Sequence, residues 1–117
     1  MYTRKRIKNA HLRVLYARVY VVDSEGNMRE ATLERKLKKR IENEGGLCLK
    51  WVSPGYTGVP DRIVLLPGGR ILFVEVKRPG TKDGRTPRQK RVADLLTALG
   101  FTVIRMSSMD DIEEVIT

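Results

Sequence analysis

One cysteine, one histidine, one tryptophan and two phenylalanines occur in 117 residues. The lone Cys48 excludes an intrachain disulfide and a thiolate cluster for structural zinc within the chain. The lone His11 stands in a basic segment without a second imidazole, and is given no catalytic or metal-binding role. No apolar run approaches the roughly 18 residues of a membrane span. Residues 1–22 lack the apolar core and small-residue cleavage site of a secretory signal, so a soluble, intracellular protein is expected. Internal repeats and low-complexity tracts are absent as well.

Basic charge is abundant. Lys and Arg total 23 against 14 Asp and Glu, a formal charge of +9, which suggests a polyanionic partner, with nucleic acid as the leading candidate. The length suits one domain with a modest core. Residues 1–22 carry six basic side chains and no acidic one. They end in "VLYARVYVV", whose β-branched and aromatic residues favour an extended segment. We divide the chain into a basic arm, residues 1–26, able to serve as a nucleic-acid contact, a dimerisation strand or an added sheet edge, and a domain over residues 27–117.

Asn27, with Glu30 three residues on, predicts the start of a helix that Gly45 and Gly46 close. Leu33, Leu37 and Ile41 share one face, and the Lys and Arg at 35, 36, 38, 39 and 40 lie mostly on the other. Glu34 projects close to Ile41 and so toward the body of the domain, although Glu30 and Glu44 lie near the same stripe. "LCLKWV" reads as a short strand, "SPGYTGVP" as a loop, and "DRIVLL" and "RILFVEVK" as two strands joined by "PGG". Thr86 and Pro87 suit the start of a helix ending at Gly100. "FTVIRM" is a further strand, and Ser108 with Asp111 opens a terminal helix.

The hairpin carries the chemistry. A three-residue "PGG" loop, with glycine supplying positive φ, pairs Leu66 with Arg70. Five residues further out, Asp61 falls opposite Glu75 with both side chains on one face, and alternation places Lys77 on that face too. Opposed carboxylates destabilise a sheet unless something neutralises them. A hard divalent cation, Mg²⁺ or Mn²⁺, would do so, since such ions take one or two carboxylates together with water and phosphate oxygens. Lys77 could then offset charge developing on a scissile phosphate.

Pro60 and Asp61 in "GVPD", followed by Glu75, Val76 and Lys77 in "VEVK", resemble the PD-(D/E)xK nuclease signature. The helix with "LERKL", the run "SPGYTGVPDRIVLLPGGRILFVEVKRPG" and Gln89 further resemble the VRR-NUC family of that superfamily, over about residues 30 to 106. The resemblance implies an α/β restriction-endonuclease-like core, a mixed sheet flanked by helices in the order α-β-β-β-α-β-α. It implies a metal-dependent DNA endonuclease with Asp61 and Glu75 as ligands, joined by the backbone carbonyl of Val76, and with Lys77 as catalytic lysine. Glu34 would support the metal, through water.

Gln89 would sit beside the active centre, but Thr86 and Gln89 also stand at capping-box spacing, and both readings are open. Lys50 and Ser53 match positions that are often polar or basic in the family. Trp51 could stack on a base or pack in the core. Arg78, Lys82, Arg85, Arg88, Lys90 and Arg91 frame the loop after the second hairpin strand, as a surface for the DNA backbone. Stand-alone members of the family resemble phage or bacterial enzymes that cut branched DNA, such as four-way (Holliday) junctions, as homodimers. The implied setting is a bacterial or phage-infected host cytoplasm. The alternatives are a nucleic-acid-binding module with a vestigial site, and a nuclease acting on flaps or RNA.

Overall fold

The computed structural model describes residues 29–80 and 82–117. The basic arm, Asn27 and His11 lie outside the described residues. Seven elements follow one another: α1 (Glu30–Asn43), β1 (Leu47–Lys50), β2 (Arg62–Leu66), β3 (Arg70–Val76), α2 (Pro87–Ala98), β4 (Thr102–Met106) and α3 (Asp110–Ile116). The strands form one mixed sheet in the order β1-β2-β3-β4, antiparallel except for the β3–β4 pair. This is the α-β-β-β-α-β-α order read from the sequence.

The two sheet faces differ in burial. Cys48, Val64, Leu66, Leu72, Val74, Val76 and Met106 point to one face and pack with Leu33, Leu37 and Ile41 of α1 and with Ile112 and Ile116 of α3 into a continuous core. The opposite face carries Phe73 and Glu75 beneath α2, whose Val92 and Ala93 are buried. β3 is buried from Leu72 to Val76, as a central strand covered on both faces should be.

Local chemistry explains the boundaries. Gly68 and Gly69 have φ of 84° and 73°, which a three-residue turn demands and which an L side chain adopts only with strain. Thr86 caps α2: its hydroxyl accepts from the Gln89 N–H, while the Gln89 side chain accepts from the Thr86 N–H, a complete capping box.

Two expectations are corrected and a third holds in part. Helix α1 begins at Glu30, with Arg29 in the cap position and no side-chain cap bond. The terminal helix has Met109 in that position, while the pairing of Ser108 with Asp111 holds in part: the Asp111 carboxylate accepts from the backbone N–H groups of Ser107 and Ser108. Arg40, grouped in the sequence with basic residues that lie mostly on the solvated face, turns only about 20° from Leu33 on the wheel and is 8% exposed. Its guanidinium meets Glu113 of α3 at 2.8 Å and Glu44 at 2.5 Å, satisfying a charge that burial would otherwise penalise.

Candidate active site

The "PGG" turn pairs Leu66 with Arg70, and the ladder runs back to Arg62 opposite Val74. The ladder ends there, and the side chain of Asp61, the residue before β2, meets that of Glu75. Asp61 precedes β2 and is anchored twice: its carbonyl accepts from the Trp51 N–H at 2.9 Å, and its Oδ2 accepts from the Val76 N–H at 2.7 Å. Gly58 makes this approach possible. Its φ is 86°, and a Cβ there would come within 2.6 Å of Cγ of Arg88, so "GVPD" can lie against α2 only with glycine at that position.

Glu75 is 2% exposed. Its Oε1 accepts from Nε2 of Gln89 at 3.0 Å, and Nζ of Lys77 lies 4.0 Å away. Oε1 of Gln89 accepts from Lys77 Nζ at 3.1 Å and from the Thr86 N–H at 2.9 Å. Two donors on one amide oxygen fix the orientation of that amide, so Nε2 must face Glu75. Gln89 therefore caps the helix and bridges Glu75 to Lys77 at once; the two readings open in the sequence coexist.

Burial foremost, then the negative charge of Asp61 and a hydrogen bond to it, push Glu75 up to about 8, while Lys77 and Arg85 pull it back. The site is thus a buried Glu75 carboxyl whose charged form is disfavoured by desolvation and by the neighbouring Asp61. Cys48 is buried on the other face and raised to about 11, chiefly by desolvation, which keeps its thiol protonated and inert at neutral pH.

The other sequence-predicted residues divide. Glu34 does not join the carboxylates: its Oε1 receives Nε of Arg62 at 2.9 Å. Arg62 pairs with Val74, on the face opposite Glu75. Lys50 pairs with Arg62 and is exposed on that same face. Ser53 lines an apolar groove beside α2 with Trp51 and Tyr56. Trp51 packs on Phe73 with ring centroids 4.9 Å apart.

The basic frame is partly neutralised from within. Asp83 receives Arg85 at 2.5 Å, Lys90 at 3.7 Å and Arg105 at 3.8 Å. Its carboxyl is held well below the usual range, first by the hydrogen bond from Arg85. Arg88 donates to the Thr57 carbonyl and lies 4.7 Å over the Tyr56 ring. Arg78, Lys82, Lys90 and Arg91 are exposed.

Sequence reasoning missed Arg105. It lies across from Glu75 on β4 and donates to the carbonyls of Lys82 and Asp83, drawing the segment with Arg85 over the site. An arginine inside the apolar strand "FTVIRM" was the available signal.

A mixed sheet that presents Asp61, Glu75 and Lys77 on one face, with α2 delivering a glutamine to them, defines a PD-(D/E)xK-type nuclease class. No protein-family model matches the chain. "Putative nuclease p44" of Acyrthosiphon pisum secondary endosymbiont phage 1 is 48% identical over 83 residues, 71% of this chain and 87% of that protein. A solved structure described as a VRR_NUC domain superposes with a TM-score of 0.67 at 35% identity, covering 74% of this chain and 92% of the other. The chain belongs to the VRR-NUC nuclease family, and nuclease activity follows from that membership. Among the described residues, no helix is long and apolar enough to cross a membrane.

Proposed function

We propose that the protein is a metal-dependent DNA endonuclease that selects branched DNA, such as four-way junctions, by shape. The observation that carries this reading is the contact between the carboxyls of Asp61 and Glu75, with Glu75 tied to Lys77 through Gln89. Two neighbouring carboxylates, one of them buried and raised to about 8, fit a hard divalent cation. Among the described residues no group of three or more His, Cys, Asp or Glu is assembled, so the remaining positions fall to water, phosphate oxygens and the Val76 carbonyl. Mg²⁺ or Mn²⁺ bound there would polarise the phosphodiester and lower the pKa of an attacking water.

The chain's own residues then have separate tasks. The Val76 N–H and the Trp51 N–H hold Asp61 in place. Gln89 orients Glu75 and keeps the Lys77 ammonium close to it, where that charge offsets the negative charge growing on a phosphate oxygen as water bonds to phosphorus and the deoxyribose oxygen departs. Exposed Arg78, Lys82 and Arg91 supply salt-sensitive affinity for the DNA backbone. Asp83 ties Arg85 and Lys90 near the site, so part of the frame is held in position before DNA arrives. Glu34, engaged by Arg62, is left outside the catalytic set.

The described elements include no helix set out for reading base sequence and no zinc module, which favours recognition of DNA shape. A homodimer would offer one site to each of two opposed strands of a nearly two-fold junction. The apolar "VLYARVYVV" of the arm supports assigning assembly to that segment. The setting would be a bacterial or phage-infected cytoplasm. Cleavage of a panel of junction, flap, duplex and single-stranded DNAs and of RNA tests the proposal. Mg²⁺- or Mn²⁺-dependent cutting concentrated on junctions supports it; preference for RNA or linear DNA, or binding without cutting, overturns it.

A further inference from the structure

Between the loop that precedes Asp61 and helix α2 runs a groove of about 440 Å³, within the range of small-ligand sites. Trp51, Tyr56, Val59, Leu95, Leu96 and Leu99 line it, and the nuclease chemistry uses none of their side chains. Leu95 and Leu99 are 48% and 74% exposed, an apolar surface that a soluble domain keeps open for a ligand or partner. We propose that this groove receives one unpaired nucleobase of the DNA strand being cut.

Position argues for it first. The N–H of Trp51 bonds the Asp61 carbonyl, and its ring stacks on Phe73, two residues before Glu75. Helix α2 sends Gln89 from its first turn to Glu75 and walls the groove with its later turns. A phosphate held at the carboxylates therefore brings its neighbouring nucleoside to the groove mouth.

Charge selects the occupant. Arg88 of α2 stacks on Tyr56, one of the groove's lining residues, and brings a positive charge to it. A polyanion is attracted to a chain of net charge +9. Aromatic and aliphatic walls accept the π-face of any base, so the site is sequence-tolerant. A branch point offers an unpaired base at little cost while a paired duplex must first break a pair, so the groove itself would discriminate DNA structure.

This inference rests on the nuclease reading for its substrate, and the test separates the two. Binding of the full-length protein to a junction carrying an abasic site at each nucleotide in turn is measured in chelator, where no cleavage is expected. One position near the cut weakens binding on the order of ten-fold, and Tyr56→Ala, at an exposed side chain, abolishes that difference. A flat profile, or a profile unchanged by Tyr56→Ala, overturns the proposal. If Leu99→Glu lowers the mass by light scattering and leaves the abasic profile intact, the groove belongs to a second copy and the proposal also falls. The same DNAs with Mn²⁺ report on the nuclease reading independently: a position-specific profile without cleavage sinks that reading alone, and cleavage with a flat profile sinks the base pocket alone.

Discussion

Gln89 donates its amide N–H to Glu75 at 3.0 Å from the first turn of α2, while the oxygen of the same amide closes the capping box with Thr86. Helix initiation and orientation of the Glu75 carboxylate thus depend on one side chain, and substitution can separate them. Gln89→Glu retains a capping-box residue but replaces the donor to Glu75 with a third carboxylate. It is expected to keep the melting temperature of the wild type to within a few degrees and to lose about 10- to 100-fold in cleavage rate. Gln89→Ala should lose both, with about 1 kcal/mol of stability. Thermal melts alongside single-turnover cleavage check the pair.

In the metal-free protein, Glu75 is raised from 4.5 to about 8 by burial and by Asp61. Between those values the folded state retains a proton that the unfolded chain has released. Folding therefore takes up a proton, and this group's contribution makes stability fall as pH rises from about 4.5 to about 8, levelling off above. Urea midpoints across that range in chelator should show the slope, and Glu75→Gln should flatten it. Added Mn²⁺ should raise stability more at pH 8 than at pH 6, because a cation displaces the proton.

Arg40, buried between α1 and α3, meets Glu113 at 2.8 Å and Glu44 at 2.5 Å. Arg40→Ala leaves two carboxylates without their common partner and is expected to cost about 2 kcal/mol, below the value for fully buried pairs because Glu113 is partly exposed. The cleavage rate of the folded fraction should stay unchanged. Denaturant unfolding and rate measurement on one preparation check this.

Glu34 pairs with Arg62 on the sheet face opposite Glu75. Glu34→Gln should alter stability by under about 1 kcal/mol and leave cleavage and its Mn²⁺ dependence within a few-fold of wild type. A loss of one hundred-fold would return Glu34 to the metal site.

The hairpin was legible in the sequence because "PGG" admits few turns, and its length carries the register outward to Asp61 and Glu75. The capping role of Gln89 was legible from its spacing to Thr86, and its place beside Glu75 only through the family resemblance. The fates of Glu34 and Arg40 were not. A helical wheel gives the direction in which a side chain leaves its axis, setting Arg40 beside Leu33 and Glu34 beside Ile41, but it names no partner for either. Their partners, Arg62 and Glu113, lie 28 and 73 residues away and meet them only through tertiary packing. Arg105 was hidden likewise, because its place beside Glu75 depends on the register of a parallel strand pair that no turn specifies.

Glu75→Gln, assayed for stability and for cleavage of junction DNA on the same preparation, tests the central claim most directly. A buried carboxyl retained for chemistry, against its own electrostatics, predicts opposite signs: the metal-free variant is more stable than wild type at pH 8, and its Mn²⁺-dependent cleavage falls by about two orders of magnitude or more. A variant that cleaves at the wild-type rate, or that loses cleavage only because it has unfolded, would contradict the account.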